Sequence, residues 1–510
     1  VIKPTAKFIA EGIGTLLLVV VVGIALLAWR LSAGPISLSF LTPQIAEALH
    51  LGADSGYRVE VKNTELAWGG WDRTLDLRVT GTSIYDSGNN EVVSLPEISF
   101  GISGPALVRG VIAPTSLEII SPTFKLIRRT DGTIGIDAQP MPDNPASSQA
   151  LQNFLAVVAE SLDGAPDKSK ASGYLTRISI TNADVTIVDE PTGTSWRVPS
   201  LHLDVVRDNL GLSGNASGNV VAGLDQWPID ATATYSVDRG TIVAQMRFSG
   251  VEPNKLAALS PSFSSLAGFK FPISGTIRTE FTNLKSTPVI NVDLSGGEGS
   301  VSLPGVFDKP LSIAQTSFKG SYDKHAKRIS IENAFVESNG TSFEGDGVLD
   351  LASDGVGIKL FGTVLSLPFD NLKLFWPPDL AAGTRSWVVD NIRDGMIDDA
   401  QVLVSIDPGM IGKGPLPPDA IDVAFNYHDM TAEYMRTMPP VKHGNGHAKL
   451  TARTLDVYMD SGTMADDLKM HDGELHITGI GIKGAAAADV ETVVDGPART
   501  MLQVLDNKPL

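Results

Sequence analysis

The sequence predicts a mainly β protein, built of antiparallel strands behind one N-terminal transmembrane helix. Three observations predict it. A single uncharged apolar run, Gly12 to Trp29, lies near the N-terminus. After it, apolar and polar residues alternate with period two over many short segments, the mark of strands with one dry and one wet face. Gly (50) and Pro (31) are frequent enough among 510 residues to supply the turns that many short strands need.

The apolar run reads GIGTLLLVVVVGIALLAW and meets the lower length limit for a spanning helix. The apolar core of a cleavable signal peptide is shorter, about 7–15 residues, so an uncleaved anchor is expected. Lys3 and Lys7 precede it and Arg30 follows, which by the positive-inside rule favours a cytoplasmic N-terminus. Residues 1–33 are thus the tail and anchor, and the rest is one non-cytoplasmic ectodomain.

The strands follow in order. Val59 and Val61 alternate with Arg58 and Glu60, and Leu75, Leu77 and Val79 with Asp76 and Arg78. Leu201, Leu203 and Val205 alternate with His202 and Asp204, and Ile290, Val292 and Leu294 with Asn291 and Asp293. Ile421, Val423 and Phe425 alternate with Asp422 and Asn426. Roughly 25 segments qualify as strands, and their short connections make most neighbours antiparallel. Asp131-Gly132, Asn339-Gly340 and Asp472-Gly473 read as turns. Helical spacing is confined to 41–51, 149–162, 254–267, 380–392 and 497–505, and Gly395 is placed to end the fourth. The Pro-, Ser- and Asp-rich flanks of the second make 140–172 the best internal boundary. It separates strand segments 34–139 and 173–371, with a last segment at 372–510. The helix at 497–505 has no further unit after it, so the natural chain is expected to continue past Leu510.

A net charge of −18 leaves no cationic surplus for nucleic-acid phosphates. The absence of cysteine removes disulfides, thiolate nucleophiles and Cys-ligated metals. His443 and His447 lie four apart, a chelating pair only in a helix, and Gly444 and Gly446 argue for a polar turn instead. The adjacent carboxylates Asp398–Asp399 and Asp466–Asp467 point to opposite faces of a strand and make no acid–base dyad. Trp376 and Trp387 read as packing anchors. No hydrolase elbow, metalloprotease helix or Gly-x-x-x-x-Gly-Lys-Ser/Thr loop occurs. No enzyme, cofactor or metal is expected. The helices are too few to cover so many half-apolar strands. The sheet must therefore close on itself as a sandwich or barrel, or curl into an apolar-lined trough. Aromatic residues at 6% lean towards the trough without excluding a sandwich.

Five segments resemble the AsmA-like superfamily of bacterial envelope proteins, and most closely its YhdP branch. They are GPISLSFLTPQIAEAL after the anchor and residues 98–136 with their Pro, Arg and Asp-Gly pattern. Residues 178–207, the Trp-Pro and Arg-x-Trp block of 372–406, and 424–461 complete the set. The resemblance spans most of the chain from Gly34, although this chain is much shorter than the family's usual length. It implies a long curled, taco-like β-trough on an inner-membrane anchor, with the ectodomain in the periplasm. It further implies passage of phospholipid between inner and outer membranes, with outer-membrane or periplasmic proteins as further partners. In that reading Leu201, Leu203, Val205, Ile290, Val292, Leu294, Ile421, Val423 and Phe425 face the groove. The competing reading is an envelope scaffold for outer-membrane protein assembly.

Overall fold

The structure is a computed structural model. It describes residues 22–23, 29–31, 34–43, 58–67, 76–85, 91–103, 106, 109, 113–131, 133–138, 166, 168 and 171–507, apart from 283–287, 379–381, 412, 435–436, 466 and 483. Among the described residues the fold is mainly β, with 63% of them in strand and only short helices. It divides into two compact units, Val1–Ala244 and Gln245–Leu510. The expected anchor at 12–29 and the expected helix at 149–162 lie almost wholly outside the described residues, as does most of 41–51. Among the described residues no helix is long and apolar enough to cross a membrane.

The first unit holds β1 (Ile36–Ser37), β2 (Arg58–Ala67), β3 (Asp76–Tyr85), β4 (Glu91–Ile102) and β5 (Pro114–Ile120). There follow β6 (Thr123–Arg128), β7 (Ile134–Ala138), β8 (Arg177–Asp189), β9 (Thr194–Arg207), β10 (Gly211–Ala222) and β11 (Asp225–Ser236). Adjacent strands run β1-β2-β3-β4-β5-β8-β9-β10-β11. One junction departs from the antiparallel expectation. β5 and β6 pair in parallel with the first and second halves of β8, while β7 pairs with the far side of β6. The bend between β5 and β6 falls at Ser121, whose φ is 52°. Ser121 N donates to Thr181 O, Asp184 N donates to Pro122 O, and the Asn182 side chain donates to Ser121 Oγ. The two half-strands thus track one long partner across a shared crease. Because strands on either side of residues 140–172 pair with each other, that compositional break is not a break in contacts. The compact units divide instead at 244/245, inside β12 (Thr241–Val251).

The second unit continues with α1 (Pro253–Ala257), β13 (Phe269–Lys270), β14 (Ile273–Phe281), β15 (Val289–Gly296), β16 (Gly299–Val301), β17 (Leu311–Asp323), β18 (Arg328–Ser338), β19 (Thr341–Ala352) and β20 (Gly355–Pro368). Then come α2 (Phe369–Phe375), α3 (Ala382–Asn391), β21 (Ile392–Arg393), β22 (Met396–Ile406), β23 (Ile421–Ala432), β24 (Val441–Thr451), β25 (Leu455–Met464), β26 (Leu468–Thr478), β27 (Ala487–Asp495) and α4 (Ala498–Leu505). Twelve strands stand side by side, β14-β15-β17-β18-β19-β20-β22-β23-β24-β25-β26-β27, each antiparallel to the next. Consecutive connections therefore alternate between two ends. One end carries the links after β17, β19, β22, β24 and β26; the other carries α1 to α4 and the Asn339-Gly340 hairpin.

Four local expectations need correction. Asn339-Gly340 is a two-residue hairpin with both φ positive, as read from sequence, but Asp472-Gly473 lies inside β26. Asp472 takes φ 47° at a register shift against β27, the left-handed conformer that one type of β-bulge shares with a tight turn. His443 likewise is a bulge residue of β24 with φ 51°, and His447 is a strand residue, so the pair is not a turn. Gly395 (φ 71°) sits between β21 and β22 and does not end α3, which stops at Asn391. The 254–267 segment breaks into α1 and a 3-10 turn at Pro261–Leu266, since Pro261 cannot continue α1. α2 was not legible at all.

Candidate functional site

Period-two strands present one face each, and the register decides whether those faces line up. In the second unit they do. Gly275, Leu294, Phe318, Ala334, Gly345, Gly362, Val402, Val423, Leu450, Leu455, Ile477 and Ala488 are successive cross-strand partners from β14 to β27. The row contains no polar side chain. Beside it run Ile277–Val292–Gly320–Ile331–Gly347–Leu360–Val404–Ile421 and Ile290–Tyr322–Ile329–Leu349–Ile358–Ile406. The members of the first row are half-buried, apart from exposed Ala488. Two packed sheets would bury such a row completely; here it is only partly covered.

The first unit shows the same alignment. Ile36, Leu66, Leu77, Phe100, Leu117, Ile178, Val205, Gly214 and Ala233 form one row from β1 to β11. Its β2–β4 stretch is closed: Val59, Leu77, Val79, Leu95, Ile98 and Phe100 form a buried cluster. From β8 to β11 it opens and its side chains shrink, ending at Gly214 and exposed Ala233.

All nine residues read from sequence fall on these faces. Leu201 pairs with Ala183, Leu203 with Ile180 and Ala216, and Val205 with Ile178 and Gly214. Ile290 pairs with Tyr322, Val292 with Ile277 and Gly320, and Leu294 with Gly275 and Phe318. Ile421 pairs with Val404, Val423 with Val402 and Leu450, and Phe425 with Ala448. The three triplets belong to two units, and only the last two share a row system. The sequence reading missed the columns between them, Leu360 and Gly362 on β20 and Val402 and Val404 on β22. Their alternation is present, but Gly345, Gly347 and Gly362 interrupt it with residues that carry no apolar signal.

The opposite face carries a series of ion pairs, beside exposed apolar side chains such as Phe361 and its cross-strand partner Leu403. Asp204 accepts from Arg177 at 2.6 Å and holds the guanidinium above its ordinary pKa. Arg197 donates to Asp184 and holds that carboxyl below its usual range. Lys319–Glu332 (2.8 Å), Arg328–Asp350 (2.7 Å) and Lys449–Asp422 (3.1 Å) continue this on the second unit. A line of bulges crosses β22 to β27 at Asp399, Asp429, His443 and Asp472. His428 bonds Asp398, His443 bonds Asp429 at 2.6 Å, and His471 lies 2.7 Å from both Asp472 and Asp495. Doubly hydrogen-bonded to carboxylates, His471 titrates above the ordinary histidine value. Among the described residues no group of three or more His, Asp or Glu is placed to hold a metal ion.

At the helical end the apolar face is covered. Phe369, Leu372 and Phe375 of α2 pack on Val364, Leu367, Ile397 and Ala400, and Phe343 meets Phe375 edge to face at 4.7 Å. Val504 and Met501 of α4 pack on Val441, Met464, Leu468 and Met470. The Arg-x-Trp block has a structural purpose here. Arg385 of α3 donates to the carbonyls of Trp376 (2.8 Å) and Lys373 (3.2 Å) and pairs with Asp308. A cation thus caps the C-terminus of α2. Comparison with family models, curated proteins and solved structures finds no match for this chain.

Proposed function

We propose that the aligned apolar faces are a track for acyl chains, and that the chain is a membrane-anchored phospholipid conduit of the AsmA-like kind. The observation that carries this is the twelve-strand row without a polar side chain, whose members are only half-buried. Each methylene removed from water is worth about 0.8 kcal/mol, so a lipid leaves such a face only for another apolar surface. A row with no polar interruption presents no desolvated polar barrier between neighbouring strands. The sheet curls into the trough that such a track needs, and residues 12–29 anchor it in the inner membrane with the ectodomain in the periplasm. No chemistry, cofactor or metal enters. The test is lipid extraction and mass spectrometry of an ectodomain prepared without detergent. Near-stoichiometric phospholipid is expected. A scaffold whose interior is filled by its own side chains would carry none, and that result would overturn the reading. Fractionation with the inner membrane tests the anchor; a mature N-terminus near Gly34 would refute it.

A further inference from the structure

At the end of the second unit opposite α2 to α4, two links are longer than the rest. Those after β17, β19 and β24 hold two to four residues, whereas those after β22 and β26 run over 407–420 and 479–486. Different sequences give the two long links the same double turn. Met410 N donates to Asp407 O and Lys413 N to Met410 O, both at 3.3 Å. Ile482 N donates to Gly479 O and Ala485 N to Ile482 O, both at 3.2 Å. Gly409 and Gly481 hold the third position of the first turn, each with φ 76°, the left-handed corner that a type II turn needs. The apolar residues just past that corner are left out of the fold: Met410 is 38% exposed, Ile411 56% and Ile482 44%. Ala420 and Ile480 of the same links are buried, so the exposure belongs to the tips. Exposed Val356 adjoins the first tip, since a Cβ on Gly355 would lie 2.8 Å from Gly409 N.

The charge at this end departs from that of the whole chain. Its five links hold Lys324, Lys327, Lys413, Arg453 and Lys483 against Asp354, Asp407 and Asp419, in a protein of net charge −18. Lys324, Lys327 and Lys413 are exposed. The five links contain no Phe, Tyr or Trp, and the tips themselves are aliphatic. Protein interfaces favour aromatic residues and arginine and are poor in lysine. Aliphatic tips set among lysines suit a bilayer instead, where the apolar group enters the acyl boundary and the ammonium reaches the headgroups. The two tips are four strand spacings apart, roughly 19 Å, so they meet a surface at two separate points.

We propose that the two double turns are a membrane contact: Met410, Ile411 and Ile482 enter the surface of a bilayer, with Lys413 at its anionic headgroups. The contact is a second one, separate from the N-terminal anchor, and does not depend on the acyl-chain track. Lys324 and Lys327 add to the attraction from the neighbouring link, since cations near an anionic surface act together within a Debye length.

The chain has no cysteine, so a single introduced one carries a unique label. Ile411→Cys, Ile482→Cys and Leu502→Cys are each labelled with nitrobenzoxadiazole. The full chain is reconstituted into vesicles of phosphatidylcholine and phosphatidylglycerol in equal amounts. Leu502 of α4, 67% exposed at the opposite end, is the matched apolar control. A nitroxide on the lipid acyl chains quenches only a fluorophore that enters the bilayer. Several-fold quenching is expected at positions 411 and 482, and little at 502. Equal quenching at all three positions, or none at 411 and 482, overturns the proposal. Blue-shifted emission at 411 and 482 without quenching assigns the tips to a protein contact and overturns it equally. Omitting phosphatidylglycerol, or adding Lys413→Glu, is expected to lower the quenching at 411 several-fold; undiminished quenching in either overturns the pairing with anionic headgroups. None of these failures alters the lipid content of the detergent-free ectodomain, which tests the track by itself.

Discussion

Replacing Val423 with Asp separates an open apolar face from a packed core. Val423 sits in the twelve-strand row between Val402 and Leu450, and it is half-buried. Burying a whole valine side chain contributes about 1.5–3 kcal/mol, so losing a half-buried one costs about 1 kcal/mol. Exchanging a strand former for Asp adds up to about 1 kcal/mol. The carboxylate on an open face keeps access to water and escapes most of the desolvation penalty, so the sum is about 2 kcal/mol. A closed sandwich gives a different figure, because an unpaired buried charge adds several kcal/mol and unfolds the unit. The assay is hydrogen exchange across β22 to β24 in the variant, with lipid content measured on the same sample. Modestly reduced protection and a large loss of bound lipid are expected. Collapse of protection throughout the unit would refute the open face, and unchanged lipid content would refute the row as its site. Asp422→Val, on the opposite face in a pair with Lys449, is the control and is expected to leave lipid content unaltered.

Arg385→Ala removes a largely buried guanidinium from two carbonyls and Asp308. A local loss of about 2–3 kcal/mol is expected, read as faster exchange in α2 and α3, with Arg385→Lys restoring only part because one ammonium cannot reproduce the fork. The His471 pKa is raised by Asp472 and Asp495. Its contribution is therefore present below the unfolded value of about 6.5 and lost as pH rises through the folded one. An NMR titration of its ring protons is expected to show a raised midpoint that falls back in Asp495→Asn; an ordinary midpoint in the parent chain would contradict the bridging geometry. Gly347 has φ 154°, and a Cβ there would sit 2.2 Å from Lys359 O, whereas one at Gly362 would find its nearest neighbour at 3.5 Å. Gly347→Ala is expected to destabilise by about 1–3 kcal/mol and Gly362→Ala by well under 1, compared by thermal melts. Equal melts would show that the β19–β20 register is wrong.

Alternation along a single segment determined a good deal. Because successive side chains of a strand face opposite ways, Val423 and Asp422 were assigned to different sides before any partner was known. Asn339-Gly340 likewise identified its hairpin, since few residue pairs tolerate two positive φ values in succession. The same chemistry misread Asp472-Gly473 and the His443 segment, because the left-handed bulges at Asp472 and His443 ask of one residue the conformer that a tight turn asks. What lies beyond the local window belonged to the tertiary structure. The parallel pairing of β5 and β6 with β8 joins strands about sixty residues apart in sequence, across a stretch whose composition reads as a boundary. No local pattern encodes that pairing. The joining of Leu294, Val402, Val423 and Ile477 into one row depends on the register of every strand between them. A shift of one residue at any junction would turn the next dry face to water, and only the summed burial of all the rows selects against it.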